Sequence, residues 1–158
     1  MLSPEELKVF HDGVNQEETP RSACIAALKF VQERRGHVSD EALAYIAPLL
    51  DMTVSDLESV ATFYSLVFRK PVGEHVILLC DSVSCFILGH DAVLNHLKKR
   101  LGIGLGQTTA DNRFTMLTIP CLGACDRAPA MMIDETLYGP LTRESIDEIL
   151  SRYGGDDS

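Results

Sequence analysis

The sequence has no run of about 18 uncharged apolar residues, the length that a membrane-spanning helix needs. It is also poor in cations: 14 Lys and Arg stand against 23 Asp and Glu, for a formal net charge of -9. Such a deficit disfavours binding to phosphate backbones, so nucleic-acid binding is not expected. Direct membrane insertion is not expected either, because the long apolar run is missing. The first residues, from Met1 to Glu6, lack the basic-then-apolar pattern of a secretory signal, which favours a cytoplasmic protein.

Motifs for thiol–disulfide exchange and for nucleotide binding are missing as well. There is no Cys-x-x-Cys pair, so thiol–disulfide exchange of the thioredoxin type is not expected. There is no phosphate-binding Walker motif, and the glycine-rich stretch Gly102 to Gly106 follows a predicted helix where a dinucleotide fingerprint would follow a strand. Neither NAD(H) nor ATP therefore has an obvious site on this chain.

The N-terminal part of the chain has helical periodicity and no strand pattern. Each predicted helix begins after a residue whose side chain can accept hydrogen bonds from the first turn. These predicted caps are Ser3, Thr19, Ser39 and Thr53. Pro48 should shorten the third helix, because proline cannot donate a backbone hydrogen bond. The segment 69–74 is typical of a linker, so residues 1–68 are expected to form a small all-helical unit.

Residues 75–153 change to the order β-α-β-β-β-α. The predicted strands cover residues 75–79, 114–119, 130–134 and 136–139, and Thr142 should cap the last helix. The helix between the first two strands should start near Cys85 and bury Ile87, Leu94, Leu97 and Leu101. This order predicts the α/β class, with a thioredoxin-like mixed sheet and flanking helices.

Four of the five cysteines form two close pairs, Cys80-x4-Cys85 and Cys121-x3-Cys125. Each pair follows one of the first two predicted strands, so the two loops should lie side by side at one edge of the sheet. Disulfides are disfavoured in the cytosol, and two pairs of thiolates point instead to a metal centre with four sulfur ligands.

Spacing alone leaves two metal centres open. Loops of three or four residues can span the edges of a [2Fe–2S] cluster, which is wider than a single ion, whereas zinc usually takes tighter Cys-x2-Cys pairs but accepts spacings up to four. His90 and His96 show no Cys-x-His pattern, so histidine ligands are not expected. Cys24 is unpaired among alanines, and we expect it to be a small buried apolar residue.

With these residues in view, the sequence resembles the E-subunit family of bacterial NADH:quinone oxidoreductase, respiratory complex I. The matching stretches are Val60-Ala61-Thr62-Phe63-Tyr64, Cys80-x4-Cys85, Gly106-Gln107-Thr108-Thr109, and Cys121-Leu122-Gly123-Ala124-Cys125 followed by Ala128-Pro129. The resemblance implies a thioredoxin-like domain in which these four cysteines ligate one [2Fe–2S] cluster. It also implies a heterodimer with the F-type subunit, which carries FMN and binds NADH, and association with the cytoplasmic face of the inner membrane through the complex.

The resemblance implies that the chain is a non-autonomous subunit of an oxidoreductase, exchanging single electrons with the flavin, and that the helical unit wraps the partner. Related E-type subunits of NAD-linked formate dehydrogenases and hydrogenases share the four cysteines and remain an alternative, as does a zinc-stabilised interaction module. Two positions depart from the family pattern: Phe86, where many relatives carry His, and Asp111-Asn112, where Asp-Gly is common. Altered local packing or potential is expected there, without loss of the cluster.

Overall fold

The protein, analysed as a computed structural model, is described over residues 2–154. The chain divides into two compact units, the first ending at Pro71 and the second beginning at Val72. The boundary between them falls inside the segment 69–74. No helix in the described residues combines the length and the apolar character that crossing a bilayer would require.

The first unit is built from four α-helices joined by short connections. The helices are α1 (Pro4–Val14), α2 (Cys24–Arg35), α3 (Asp40–Ile46) and α4 (Val54–Phe63), with 3-10 turns at Pro20–Ala23 and Pro48–Leu50. All four predicted caps are confirmed, since the side chains of Ser3, Thr19, Ser39 and Thr53 each accept a backbone N–H of the following turn.

Two helix boundaries in the first unit follow directly from the sequence. Pro48 stops α3 at Ile46 and begins a 3-10 turn, as its missing N–H predicts. Thr19 opens a 3-10 turn first, and the α-helix proper starts only at Cys24, later than the sequence pattern predicts. The core of this unit contains Leu28, Leu43, Ile46, Leu50 and Leu57, all almost fully buried.

The second unit is a five-stranded mixed sheet with three helices. Its strands are β1 (His75–Cys80), β2 (Gln107–Thr108), β3 (Phe114–Ile119), β4 (Met131–Ile133) and β5 (Thr136–Tyr138). Its helices are α5 (Val83–Ile87), α6 (His90–Leu101) and α7 (Arg143–Arg152). The strand order is β2-β3-β1-β4-β5, in which only β1 and β3 run parallel.

Strand β1 is central and is buried along almost its whole length, as its uninterrupted apolar sequence predicts. One hydrophobic core joins Ile77 and Leu79 of this strand to α6 and α7, through Leu97 and Ile146 among others. The alternate residues point to the opposite side of the pleat, and Cys80 is one of them. It belongs to a second, smaller group of buried residues with Cys85 and Ala130.

The helix predicted from about Cys85 to Leu101 is two helices. Gly89 has φ +111°, a left-handed conformation that separates α5 from α6. Because α5 is a single separate turn, Ile87 does not share the buried face of α6 and is 75% exposed, so its predicted burial is wrong. Leu97 is buried as predicted, and Leu94 and Leu101 pack against the same core.

The short strand β2 was not predicted. It consists of Gln107 and Thr108, pairs with β3 in the antiparallel direction, and extends the sheet at its edge. Two residues give too short a pattern for any periodicity to be read. The remaining strands, the turn at Asp134 and the Thr142 cap of α7 agree with the sequence prediction to within a few residues.

Candidate metal centre

The first predicted ligand, Cys80, is the last residue of β1 and is buried. Its backbone N–H donates to the carbonyl of Ala130, and the next N–H, that of Asp81, donates to the carbonyl of Ile119 at the end of β3. The chain is therefore held by its neighbours on both sides as it leaves the sheet. This anchoring fixes where the loop that carries the two cysteines begins.

Cys85 is placed by the short helix α5. Ser82 is the N-cap of this helix, and its hydroxyl accepts the backbone N–H of Cys85, the third helical residue. The Sγ of Cys80 lies 3.5 Å from the same hydroxyl. Ser82 thus connects both cysteines of the first pair, and Cys85 lies in the first turn of a helix, as the sequence predicts.

The two thiols of the first pair differ in their acidity. Burial raises the pKa of the Cys80 thiol, but hydrogen bonds from the Ser82 hydroxyl, the backbone amides of Leu122 and Ser82, and the Cys85 side chain outweigh it and lower that pKa overall. For Cys85, burial and the neighbouring Cys80 outweigh the bonds from Ser82 and the Ala130 backbone, so its pKa is raised. Of the two thiols, that of Cys80 is therefore the more readily deprotonated.

The second pair lies on the loop that follows β3. Cys121 and Cys125 are both exposed, and Cys125 begins the 3-10 turn Cys125–Arg127. Gly123 has φ +73°, which a residue with a side chain rarely adopts, and in this conformation its N–H donates to Cys121 Sγ over 3.3 Å. Leu122 of the same loop packs against the buried group that contains Cys80 and Cys85, so the second loop reaches the first.

The structure therefore brings Cys80 and Cys85 together directly, and the loop of Cys121 and Cys125 reaches them through the packing of Leu122 and Ala124. Within residues 2–154, no three His, Cys, Asp or Glu side chains lie close enough together to share one metal ion. In a [2Fe–2S] cluster each iron takes two of the four cysteine sulfurs, so ligands in two pairs suit it.

The chemistry of the donor set also fits such a cluster. With four thiolates the cluster carries a charge of about -2, and N–H and O–H groups directed at sulfur stabilise that charge. Such donors are the Gly123 amide at Cys121 and, when Cys80 is a thiolate, the Ser82 hydroxyl that lies 3.5 Å from its sulfur. No lysine or arginine is needed for this purpose.

Cys24 and His96, which lie outside the two pairs, have other surroundings. Cys24 begins α2 in the first unit, where it is partly buried against the hydrophobic core, so it is less enclosed than predicted. His96 binds Asp147 of α7, with 2.9 Å between Nε2 and Oδ1.

Sequence reasoning gave no role to His90, and the structure shows it to be unusual. It is 5% exposed, and both ring nitrogens are buried without a hydrogen-bond partner in the described chain. An unsatisfied buried polar group costs about 1–3 kcal/mol, so such groups require an explanation. Only its position shortly after the second cysteine could have drawn attention to it.

The sequence matches a known family. The sequence model of the family described as thioredoxin-like [2Fe-2S] ferredoxin matches residues 10–154. The chain belongs to this family. Membership confirms the predicted thioredoxin-like fold and the predicted [2Fe–2S] cofactor, while the identity of the four ligands stays a proposal.

Two individual relatives are similar to this chain over nearly its whole length. The E subunit of NADH-quinone oxidoreductase in Escherichia coli strain K12 is 51% identical over 152 residues, covering 96% of this chain and 92% of the relative. The protein of the same name in Pseudomonas aeruginosa is 48% identical over 153 residues, covering 97% of this chain and 92% of the relative.

Among solved structures, the chain is similar to an NAD+-reducing [NiFe]-hydrogenase in its H2-reduced state. The TM-score is 0.71 at 27% identity, over 90% of this chain. The matched part is only 24% of the hydrogenase chain, so this ferredoxin fold spans about a quarter of that longer chain.

The two departures from the family pattern have simple structural settings. Phe86 is 61% exposed on α5, so this departure adds an apolar side chain to the surface. Asn112 has φ +57°, the conformation that a glycine at this position would adopt freely and that Asn tolerates. The Asp-Asn turn therefore keeps the backbone geometry of an Asp-Gly turn.

Proposed function

We propose that this chain is the E-type electron-transfer subunit of an NADH:quinone oxidoreductase, in which Cys80, Cys85, Cys121 and Cys125 ligate one [2Fe–2S] cluster. The observation that carries the proposal is the convergence of the two cysteine loops at one edge of the sheet. Leu122 of the second loop packs there against the buried group that contains Cys80 and Cys85. Relatives that are about half identical over nearly the whole chain and bear the name of this subunit support it.

The cluster, when bound, supplies reversible one-electron transfer at low potential. The residues of this chain contribute the environment in which that transfer occurs. Cys80 and Cys85 bind from a buried position, which excludes water from one side of the site. The Gly123 amide donates to the Cys121 sulfur, and the Ser82 hydroxyl lies beside the Cys80 sulfur, where it can donate to a thiolate. Both contacts make added negative charge less costly.

The partner in this proposal is the FMN-carrying, NADH-binding F-type subunit, called here the flavin subunit. Electrons must reach the cluster from a flavin on another chain, so the partner has to approach the cysteine loops. Beside Cys85, the surface of α5 and the residue after it is apolar and exposed, formed by Val83, Phe86, Ile87 and Leu88. We name this surface the α5 patch, and its position next to the ligands supports it as the contact with the flavin subunit.

The helical unit offers a second contact for the same partner. Phe63, Tyr64 and Leu66 at the end of α4 are exposed, and Phe63 is 79% accessible. Exposed aromatic residues of this kind are enriched at protein interfaces. We propose that these residues let residues 1–68 wrap the flavin subunit, and that the assembled complex holds the chain at the cytoplasmic face of the inner membrane.

Co-purification tests the docking surface. Ile87→Glu introduces a charge into the α5 patch, and it should abolish recovery of the flavin subunit with this chain while the visible spectrum of the cluster is unchanged. Leu105→Glu is the matched control, because Leu105 is an exposed apolar residue of the same unit outside the patch. Retention of the flavin subunit by the Ile87 variant would exclude the α5 patch as its contact.

An E-type subunit of an NAD-linked hydrogenase is the second candidate, supported by the fold similarity to the NAD+-reducing hydrogenase. The identity is 27% for that structure against 48% and 51% for the two oxidoreductase subunits, which favours the first candidate. An E-type subunit of a formate dehydrogenase would use the same site chemistry. Co-expression with each type of flavin subunit distinguishes these candidates by which complex forms.

Metal content and magnetism test the site itself. The anaerobically purified full chain should be reddish-brown and contain iron and acid-labile sulfide in equal amounts. After reduction with dithionite it should give a low-temperature EPR signal of a half-integer spin. A colourless protein that holds zinc and gives no signal after iron–sulfur reconstitution would contradict the proposal and support a zinc-stabilised interaction module.

A further inference from the structure

His90 is the first residue of α6, directly after the left-handed Gly89 that ends the connection from α5. Its imidazole is enclosed, yet neither Nδ1 nor Nε2 has a hydrogen-bond partner in the described chain. The charged group that faces it is Asp81, whose Oδ1 lies 3.8 Å from His90 Nδ1. This distance is longer than the roughly 2.7–3.2 Å of a normal hydrogen bond.

Asp81 is fixed in its backbone and able to move in its side chain. Its N–H donates to the carbonyl of Ile119 over 2.9 Å, so the main chain is fixed at the sheet edge. Its carboxylate is 56% exposed, and within residues 2–154 its ion-pair contact is with His90. An approach of about 1 Å by this exposed carboxylate would bring it within hydrogen-bond distance of the imidazole.

We propose that His90 is a positioning residue for the cluster-binding loop: its Nδ1–H donates a hydrogen bond to the Asp81 carboxylate when the loop from Cys80 to Cys85 holds the [2Fe–2S] cluster. The inference rests on the proposed function, since it concerns the ligand loop of that same site. It gives a partner to a buried imidazole nitrogen that otherwise has none in the described chain.

The position of this bond shows how it would restrain the loop that carries Cys80 and Cys85. Helix α5 is a single short turn, its outer residues are exposed, and Gly89 joins it to α6 without restricting the backbone as other residues would. A bond from His90 to Asp81 connects the start of α6 to the start of the loop and so encloses α5 between two fixed points. Cys85 is thereby held at a constant distance from Cys80.

Three substitutions of His90 separate the hydrogen bond from the bulk of the ring. In His90→Asn the amide N–H2 lies where Nδ1 lies, in His90→Gln it lies nearer the place of Nε2, and in His90→Phe there is no donor. The measurement is the rate at which an iron chelator bleaches the visible spectrum of the cluster-loaded full chain. Residues that orient metal ligands from outside the ligand shell typically change metal affinity about 10–100-fold. The Phe and Gln variants, in which the ligand loop loses this bond, should therefore lose the cluster about tenfold faster than the unchanged chain.

The Asn variant should lose the cluster within about twofold of the unchanged rate, because it keeps the donor that Asp81 needs. A double-mutant cycle supplies the second test. Asp81→Ala should accelerate loss about as much as His90→Phe, and combining the two should add nothing, because both remove the same bond. The comparison of Asn with Gln carries the test even where the Phe variant does not fold.

The reduction potential provides a readout that a purely structural role would not move. His90→Phe and Asp81→Ala should each shift the midpoint measured by EPR-monitored titration, and the double variant should show the same shift as Asp81→Ala alone. Bleaching rates that are equal in the Asn and Phe variants, or effects that add in the double variant, would overturn the role of His90. An unchanged chain that shows no cluster signal at all would instead overturn the proposed function on which this role depends.

Discussion

Cys80 and Ile119 are direct partners across the parallel pair of strands β1 and β3. Both strands end at these residues, so the chain leaves the sheet twice at neighbouring points. Neighbouring strands lie about 4.8 Å apart, which sets the separation of the two exits. Cys121 follows shortly after Ile119, and this register is the reason that two cysteine pairs distant in sequence reach one edge of the sheet.

Replacing any one of the four cysteines of the two pairs by Ser should weaken or abolish the visible absorption of the cluster. Oxygen is a harder ligand than thiolate and suits iron–sulfur clusters poorly. Cys24→Ser is the matched control, since Cys24 packs against the core of the helical unit. Absorption spectroscopy of the anaerobically purified variants measures the cluster in the four ligand variants and in the Cys24 control. Loss of colour in the Cys24 variant alone would show that the ligand assignment is wrong.

Ser82→Ala should lower the reduction potential of the cluster. The change removes the hydroxyl beside the Cys80 sulfur, and a hydrogen bond to sulfur favours the more negative, reduced form. A net contribution of about 0.5–1.5 kcal/mol corresponds to a shift of about 20–60 mV for one electron. Ser82→Thr retains a hydroxyl and a helix cap, so its midpoint in an EPR-monitored titration should stay near that of the unchanged chain. Equal midpoints for the Ala variant and the unchanged chain would show that the hydroxyl does not bond to the sulfur.

Gly139→Ala should destabilise the second unit. A Cβ at this position would lie 2.3 Å from the backbone oxygen of Arg127, so either β5 or the turn after Cys125 has to move. Overpacking of this kind costs about 1–3 kcal/mol. Urea unfolding followed by circular dichroism measures the loss, and cluster retention should fall with it because Arg127 ends the turn that Cys125 begins.

The control for this substitution is Gly13→Ala. Gly13 lies within α1, and a Cβ there would meet nothing within 4 Å. Alanine is a better helix former than glycine, so this variant should be more stable by about 0.5–1 kcal/mol. The two alanine substitutions should therefore shift the unfolding midpoint in opposite directions, and a loss of stability in both would contradict the steric explanation.

Acid should remove a contribution that Asp111 makes to stability. The hydrogen bond from Thr109, then that from the Arg113 backbone, lowers the pKa of the Asp111 carboxyl below its usual value of 3.8. A lowered pKa in the folded state means that the contribution is complete above the unfolded-state pKa and is lost as the pH falls through the folded-state pKa. Asp111→Asn cannot titrate, so the difference in urea midpoint between it and the unchanged chain should shrink below pH 3.8. A difference that is constant from neutral to acid pH would contradict this assignment.

Local features of the chain follow from the sequence because they depend on neighbouring residues. The caps Ser3, Ser39, Thr53 and Thr142, and the termination of α3 before Pro48, are decided within one helical turn. The buried strand β1 is decided by its uninterrupted apolar run. The pairing of the cysteines could be inferred for the same reason, since it rests on spacing along the chain. The choice of a [2Fe–2S] cluster over zinc came from the resemblance to a known family.

Other features required the folded chain. The break at Gly89, the exposure of Ile87 and the two-residue strand β2 depend on how segments pack, and no local pattern distinguishes them. The tertiary structure also decides the chemistry around the sulfurs. It packs Leu122 against the buried group of Cys80 and encloses the imidazole of His90, and both depend on residues that only the fold makes neighbours.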